Sequence, residues 1–191
     1  ELQQQGFIAE AYCHEIRIDL PKELEIPYAL GTKREKYRMA SENPLKLEVV
    51  KELVNRHPDD FILIIGQYLD QLKHIADAFK LPIITGSTPN AKREELYRAF
   101  RDGSTRILVV SKVANFAIDL PDASVAIQVS GTFGSRSEEA QRLGRILRPK
   151  NRSSFFYSVV TRYSNEEEFA ANRQKFLAEQ GYSYEIEVWN N

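Results

Sequence analysis

The sequence is short of cysteine, of long apolar runs and of clustered histidines. Its single cysteine, Cys13, excludes an intramolecular disulfide framework and a cysteine-rich metal site, and it favours the reducing cytoplasm as the location. The strongest apolar run, Phe61 to Ile65, is far shorter than the roughly 18 residues of a membrane span, so no membrane partner is expected. The three histidines lack the spacing of metal ligands, so we predict no metal site and place each histidine on the surface or on a helix face.

Glycine-rich loops that hold phosphate groups are missing as well. The 191 residues contain neither G-x-x-x-x-G-K-[ST] nor G-x-G-x-x-G. Asp59 and Asp60 precede a predicted strand rather than ending one, so they do not form a carboxylate pair for Mg²⁺. The chain alone therefore shows no means of binding and cleaving a triphosphate. Because it begins at Glu1 without an initiator Met, we expect it to be part of something longer.

The net charge is close to zero, but one stretch is strongly basic. Lys and Arg number 26 against 27 Asp and Glu, a formal net charge of -1, which excludes a uniformly basic surface for nucleic acid. Residues 136–152 hold two acidic side chains and six basic ones, namely Arg136, Arg142, Arg145, Arg148, Lys150 and Arg152. This local excess of positive charge makes 136–152 the candidate functional segment.

From Phe61 onward, short β-rich runs alternate with helical periodicity. Apolar runs predict strands at 61–65, 81–84, 106–110, 125–129 and 154–160. Apolar residues at helical spacing predict helices over 69–79 and 169–177, and another that begins at Thr88-Pro89 and stops at Gly103. Ser135 and Glu138 form the capping-box pattern of a short helix that Pro149 must end. This alternation predicts a three-layer α/β domain with a mostly parallel sheet over residues 61–191.

Residues 1–60 follow a different pattern. The alternation from Tyr12 to Leu20 predicts a half-exposed strand, Lys33 to Arg38 predicts a charge-rich helix, and a further helix follows Pro44. The stretch is too short for a core of its own. We interpret it as a linker segment with a strand and helices rather than as a second domain.

The basic segment contains a spaced arginine pattern, Q-R-x-G-R-x-x-R, at residues 141–148. Arg145 and Arg148 lie three residues apart, which places both guanidinium groups on one face of a helix. Arginine is suited to bidentate contacts with phosphate, and in phosphoryl transfer an arginine finger neutralises the charge that develops on the phosphate oxygens. The alternative is a solvated basic helix end that complements its own dipole.

This pattern resembles motif VI of superfamily 2 helicases. Ser111 to Pro121 resembles motif V, Ile64 to Tyr68 occupies the place of motif IV, and Ile84-Thr85-Gly86 resembles the region after it. The stretch from Ser111 to Pro149 is most similar to the XPB branch, in a bacterial or archaeal form. Ala114-Asn115, Phe116 and Ala117 depart from the usual motif V residues.

The resemblance implies a RecA-like second helicase domain that faces a first domain across an ATP cleft. Arg145 and Arg148 would be catalytic fingers that reach the β- and γ-phosphates, while the absent N-terminal motor domain would hold most of the ATP and Mg²⁺. Asp119, Gln141 and Arg142 would complete the ATP-binding set on this side. Asp119 could also be a turn residue, and Gln141 an ordinary exposed helix residue.

Four further positions are expected to contact nucleic acid. Gln67, Gly86, Ser111 and Lys112 each follow or end a predicted strand, at the carboxyl edge where open α/β sheets bind ligands. Together they would track the backbone of a single DNA strand without reading its bases. Gly86 could also be only a turn residue, and Lys112 a plain surface lysine.

The implied function is that of the C-terminal motor half of an ATP-dependent, XPB-type 3'-5' DNA helicase or translocase in DNA repair or transcription. Its partners would be DNA and the N-terminal helicase domain of the same protein, and a nuclease is a candidate partner. Two alternatives remain open. One is another double-stranded DNA translocase of the superfamily, and the other is a non-catalytic DNA- or partner-binding module derived from a helicase domain.

Overall fold

A seven-stranded parallel sheet forms the centre of the computed structural model, which describes residues 11–111, 123–131 and 153–190. Every strand pair runs parallel, in the order β3-β4-β2-β5-β6-β1-β7. The prediction of a mostly parallel sheet is therefore confirmed. The strands are β1 (Ala11–Ile18), β2 (Ile62–Gly66), β3 (Ile83–Ile84), β4 (Ile107–Ser111), β5 (Val125–Gln128), β6 (Ser154–Thr161) and β7 (Ser183–Val188).

Helices cover both faces of this sheet. Those in the described ranges are α1 (Glu25–Leu30), α2 (Lys33–Ser41), α3 (Lys46–Arg56), α4 (Leu69–Phe79), α5 (Asn90–Arg101) and α6 (Asn165–Glu179), with a 3-10 turn at Lys22–Leu24. A capping box fixes the start of α2, because the Thr32 hydroxyl accepts from the Glu35 N–H and the Glu35 carboxylate accepts from the Thr32 N–H. The helix predicted from Ser135 lies outside the described residues.

Strand alternation divides the apolar side chains between two cores. Ile62 and Ile64 pack on one face of β2 with residues of α3 and α4, whereas Leu63 and Ile65 pack on the other face with residues of α5 and α6. All five residues of β2 are buried. A central parallel strand is covered on both sides, which explains its continuous apolar run. The predicted three-layer arrangement is confirmed.

The first strand lies inside the sheet rather than at its margin. β1 pairs with β6 on one side and with β7 on the other, and Glu15, Ile16 and Ile18 are fully buried. The predicted strand is therefore confirmed, but the prediction that it is half-exposed is wrong. The polar residues that suggested exposure are satisfied inside the fold, since the Glu15 carboxylate accepts from Arg17 and from the Tyr184 hydroxyl at 2.7 Å. Residues 11–60 thus belong to the same sheet and core as the later strands, and their role as a linker stays a prediction.

The only cysteine of the sequence is also in β1. Cys13 is fully buried among apolar residues of the core. Burial raises the pKa of its thiol to about 12, because the thiolate would lose its hydration there.

Two local predictions are corrected by the structure, and one strand, β7, was not predicted at all. Thr88 does not cap α5, because its hydroxyl accepts from the Thr85 N–H at 2.9 Å instead. His57 is buried rather than on the surface, with Nδ1 2.9 Å from Asp60 Oδ2 and Nε2 2.6 Å from the Tyr157 hydroxyl. These bonds satisfy both ring nitrogens. They join the end of α3 to β6.

Candidate nucleotide and nucleic-acid site at the carboxyl edge of the sheet

Nine residues were predicted to form the site, and three of them belong to the described ranges. Those three are Gln67, Gly86 and Ser111. The other six lie outside the residues that the structure describes, so their predicted roles stay predictions; they are Lys112, Asp119, Gln141, Arg142, Arg145 and Arg148.

The three described positions come together at the carboxyl ends of neighbouring strands. β3, β4 and β2 are adjacent in the sheet, and the register pairs Ile84 with Val110 and Gly66 with Ser111. Gln67 and Gly86 therefore flank Ser111 at the same level of the sheet. This is the edge at which open parallel sheets bind their ligands. The contact of these residues with nucleic acid stays a prediction.

The turn between β3 and α5 exposes backbone and hydroxyl groups at this edge. Gly86 is exposed, and the turn around it is closed by side chains of its own, because the Thr85 hydroxyl accepts from the Ser87 N–H at 3.2 Å. A guanidinium nitrogen of Arg93, on α5, donates to the Thr85 carbonyl at 3.1 Å and ties the turn to the helix. The turn is thus held by its own hydrogen bonds and by α5, and Gly86 is exposed within it.

Ser111 is placed differently from what the sequence suggested. It is the last residue of β4, and it is fully buried. The side chain is not exposed in this arrangement, and its predicted contact with a DNA strand stays a prediction.

Gly66 allows the end of β2 to approach the end of β5 closely. The Gln67 N–H donates to the Ser130 hydroxyl at 2.8 Å. A Cβ on Gly66 would lie 2.8 Å from Leu72 Cδ2, 3.0 Å from Ser130 Oγ and 3.0 Å from Val129 Cγ2. Leu72 and Val129 are fully buried and have no room to yield. The absence of a side chain at 66 is therefore a packing requirement of this edge.

Gly66→Ala is accordingly expected to lower the free energy of unfolding by about 1–3 kcal/mol, the usual cost of overpacking a core. Urea unfolding of the chain, followed by circular dichroism, measures the change. Gly31→Ala is the matched control, because its new methyl group would be less crowded, 3.2 Å from the flexible end of Met39, 3.3 Å from Glu35 Cβ and 3.4 Å from the Pro27 carbonyl. An unchanged free energy of unfolding in Gly66→Ala would show that the end of β2 has room for a methyl group.

A buried ion pair lies beside this edge, and neither of its residues was among those predicted for the site. Lys46 Nζ, on α3, is 2.9 Å from Glu166 Oε1, on α6, and the two side chains are 1% and 7% exposed. Burial is the larger influence on both groups, and it lowers the pKa of Lys46 and raises that of Glu166. A signal was present, because Lys46 falls at helical spacing on the same face as Val49, Val50 and Leu53.

The pair is completed by backbone groups. Lys46 Nζ also donates to the Val129 carbonyl at 2.7 Å and to the Ser41 carbonyl at 3.0 Å. Glu166 Oε1 accepts from the Thr161 N–H at 2.9 Å. Charged groups in a protein interior are retained only with such partners. The network therefore joins α3 and α6 to the carboxyl ends of β5 and β6.

Two absences hold for the described ranges, 11–111, 123–131 and 153–190. No group of three or more His, Cys, Asp or Glu side chains there is arranged to hold a metal ion. No helix in those ranges has the length and the apolar character to cross a membrane.

Over nearly its whole length the chain is similar to helicases. Residues 2–189 match the family model for the ERCC3/RAD25/XPB C-terminal helicase. The "DNA 3'-5' helicase XPB" of Mycobacterium tuberculosis is 53% identical over 188 residues, which are 97% of this chain and 34% of that protein. The "General transcription and DNA repair factor IIH helicase/translocase subunit XPB/SSL2" of Saccharomyces cerevisiae is 35% identical over 194 residues, or 97% of this chain and 23% of that protein. The chain thus spans about a third or less of these relatives.

Solved structures share the fold at low sequence identity. The C-terminal domain of the DEAD-box protein Dbp5 superposes with a TM-score of 0.69 at 17% identity, over 92% of this chain and 90% of that one. A DEAD box protein from Methanococcus jannaschii gives a TM-score of 0.60 at 14% identity, over 95% of this chain and 42% of that one. These matches confirm the predicted RecA-like helicase fold.

Proposed function

The chain belongs to the ERCC3/RAD25/XPB C-terminal helicase family, and we propose that it is the second motor domain of an ATP-dependent 3'-5' DNA helicase or translocase. The observation that carries this proposal is the family match over residues 2–189. It is supported by a parallel sheet whose carboxyl edge gathers the described candidate residues. It is also supported by the name of the mycobacterial relative, a DNA 3'-5' helicase.

In this proposal the two halves of the motor divide the chemistry. The sequence has no phosphate-binding loop, and about two thirds of the mycobacterial relative lies outside the match. That remaining part would bind the ATP phosphates and Mg²⁺. Arg145 and Arg148 would reach across the cleft to the β- and γ-phosphates and neutralise charge as the phosphate bond breaks. Asp119, Gln141 and Arg142 would hold the nucleotide and orient the arginines.

The nucleic-acid side would use the turns after β2 and β3. The half-exposed Gln67 and the exposed Gly86 face solvent there, and Lys112 comes directly after β4 in the sequence. Amide, backbone and ammonium groups bind phosphates without distinguishing bases. Binding should therefore be indifferent to sequence and should weaken as salt increases. Closure of the cleft around ATP and its reopening after hydrolysis would move this domain along the strand.

Exposed apolar side chains support a covering partner at the same edge. Among the described residues, seven large apolar side chains are exposed, and five of these follow the carboxyl ends of β1, β2 or β6. Exposed large apolar side chains are places where a partner would dock. We propose that the partner is the N-terminal helicase domain of the same protein. The five are Ile26, Leu30, Leu69, Tyr163 and Phe169.

The wider role is proposed from the relatives. The yeast relative is named as a subunit of a general transcription and DNA repair factor, so a role in repair or transcription follows for this protein as a proposal. The nuclease partner and the cytoplasmic location also stay predictions.

The proposal is tested by comparing the chain with the longer protein that would contain it. The longer protein should hydrolyse ATP, DNA should stimulate this activity, and movement on DNA should run 3' to 5'. The chain alone should bind single-stranded DNA weakly and hydrolyse nothing, because its arginines would have no phosphate to reach. A coupled ATPase assay and fluorescence anisotropy measure the two properties. Hydrolysis of ATP by the chain alone would contradict the proposed division.

A further inference from the structure

Two buried serines hold the ends of the central strand β2. At the amino end the Phe61 N–H donates to the Ser124 hydroxyl at 3.1 Å, and at the carboxyl end the Gln67 N–H donates to the Ser130 hydroxyl at 2.8 Å. The two serines flank β5, which pairs with β2, and they are 4% and 3% exposed. Each hydroxyl therefore extends the pairing of the two strands by one residue beyond the end of β2.

The two serine bonds are alike in chemistry but differ in what lies beside them. A backbone N–H that is removed from water requires an acceptor, so each bond contributes to the stability of the fold. The Ser124 bond lies at the amino edge of the sheet, whereas the Ser130 bond lies at the carboxyl edge, to which the proposed DNA contacts belong. A role beyond stability is therefore expected for Ser130 alone.

The direction of the Gln67 side chain depends on the backbone that carries it. The side chain is half-exposed, and its amide group has no hydrogen-bond partner in the described ranges 11–111, 123–131 and 153–190. Its backbone is held on one side by Gly66, which pairs with Ser111 of β4, and at the residue itself by the bond to Ser130. Ser130 thus holds Gln67 in place while leaving the side-chain amide available for a ligand.

The glycine at 66 makes room for this bond, because a Cβ there would lie 3.0 Å from Ser130 Oγ. We propose that Ser130 is a positioning residue, whose buried hydroxyl holds Gln67 in the orientation in which its side-chain amide meets a phosphate of the DNA strand. A group that is already held in its bound orientation loses less conformational freedom when the ligand arrives. This inference rests on the proposed function, which places Gln67 on DNA.

The test measures the Kd of the longer protein for a labelled single-stranded oligonucleotide, by fluorescence anisotropy, in Ser130→Ala, in Gln67→Ala and in the double variant. Gln67→Ala should raise the Kd by about 3- to 10-fold, which corresponds to the net contribution of one hydrogen bond. Ser130→Ala should raise it by a similar factor while Gln67 is present. In the Gln67→Ala background it should raise the Kd by less than about twofold, because coupled residues do not act additively. Equal effects of Ser130→Ala in both backgrounds would overturn the inference.

Ser124→Ala is the matched control, since it removes the same kind of bond from the other end of β2. Both serine variants should lower the urea midpoint of unfolding by a similar amount, and Ser124→Ala should leave the Kd for DNA unchanged. If Ser130 has only a structural role, the two serine variants will raise the Kd equally, and that result would also contradict the inference.

Two further outcomes separate this inference from the proposed function. An unchanged Kd in Gln67→Ala would contradict the proposed DNA contact, on which the inference rests. A raised Kd in Gln67→Ala with an unchanged Kd in Ser130→Ala would contradict the inference alone. Hydrogen exchange covers the case in which Ser130→Ala does not fold, because the Gln67 amide of the wild-type protein should exchange as slowly as the Phe61 amide. Rapid exchange at Gln67 would show that the Ser130 hydroxyl does not hold it.

Discussion

Arg145→Ala and Arg148→Ala, each introduced into the longer protein, are expected to lower the DNA-stimulated kcat for ATP by about 10³-fold or more. Each change removes a guanidinium group that would stabilise the transferring phosphate, while the proposed phosphate-binding loop of the other domain would stay intact. Because a finger acts mainly in the transition state, the KM for ATP should change much less than kcat. Arg145→Lys should recover little, since an ammonium group cannot reproduce the bidentate contact.

The control for both variants is Arg34→Ala, which removes an exposed arginine of α2. A steady-state ATPase assay with saturating single-stranded DNA measures the effect, and anisotropy measures DNA affinity in parallel. If the ATPase persists while DNA affinity falls, the arginines only grip DNA. The chain would then be a non-catalytic binding module, and the motor proposal would be wrong.

Lys46→Met alone should lower the free energy of unfolding of the chain by about 3–5 kcal/mol, because it leaves the Glu166 carboxylate buried without its cation. Native domains are stable by only about 5–15 kcal/mol, so the single variant is expected to be close to unfolding. Urea unfolding followed by circular dichroism measures the loss.

Two comparisons make this prediction specific to the ion pair. Adding Glu166→Gln to Lys46→Met should recover part of the loss, since the second change removes the unpaired charge. Lys51→Met should cost no more than about 1 kcal/mol, because its partner Glu48 is on the surface. If Lys46→Met is as mild as Lys51→Met, Lys46 behaves as an exposed lysine and the buried network does not stabilise the fold.

Most of the sheet could be predicted because its strands are covered on both faces. The run from Phe61 to Ile65 contains no polar residue, which is typical of a strand buried on both faces, and it forms β2 as expected. β1 was predicted to be half-exposed because it carries Glu15 and Arg17. In the fold these charges are satisfied by each other and by a tyrosine of β7. That tyrosine is distant in sequence, so no local sequence pattern predicts its hydrogen bond to Glu15. β7 itself alternates Tyr184, Ile186 and Val188 with polar residues, a pattern that could have been recognised.

Part of the candidate site could also be predicted from the sequence. Gln67, Gly86 and Ser111 were placed correctly at one edge, because residues that follow parallel strands must meet there. Whether a side chain faces solvent depends on neighbours from other strands, so the burial of Ser111 could not be derived from its position. For Lys46, the burial could be predicted from its place on the apolar face of α3. Its partner, Glu166, could not, because it lies 120 residues away in the sequence.

The placement of the only cysteine of this sequence has a practical consequence for observing the proposed motor. The Cys13 thiol is shielded from solvent, and its high pKa leaves almost no thiolate at neutral pH. Maleimide dyes should therefore not label Cys13 in the folded protein. A cysteine introduced at an exposed position, such as Lys92 on α5, would be the one reactive thiol of this chain. Together with a second dye on the N-terminal domain, a fluorophore there would report the proposed nucleotide-driven opening and closing by energy transfer, with no cysteine of this chain to remove first.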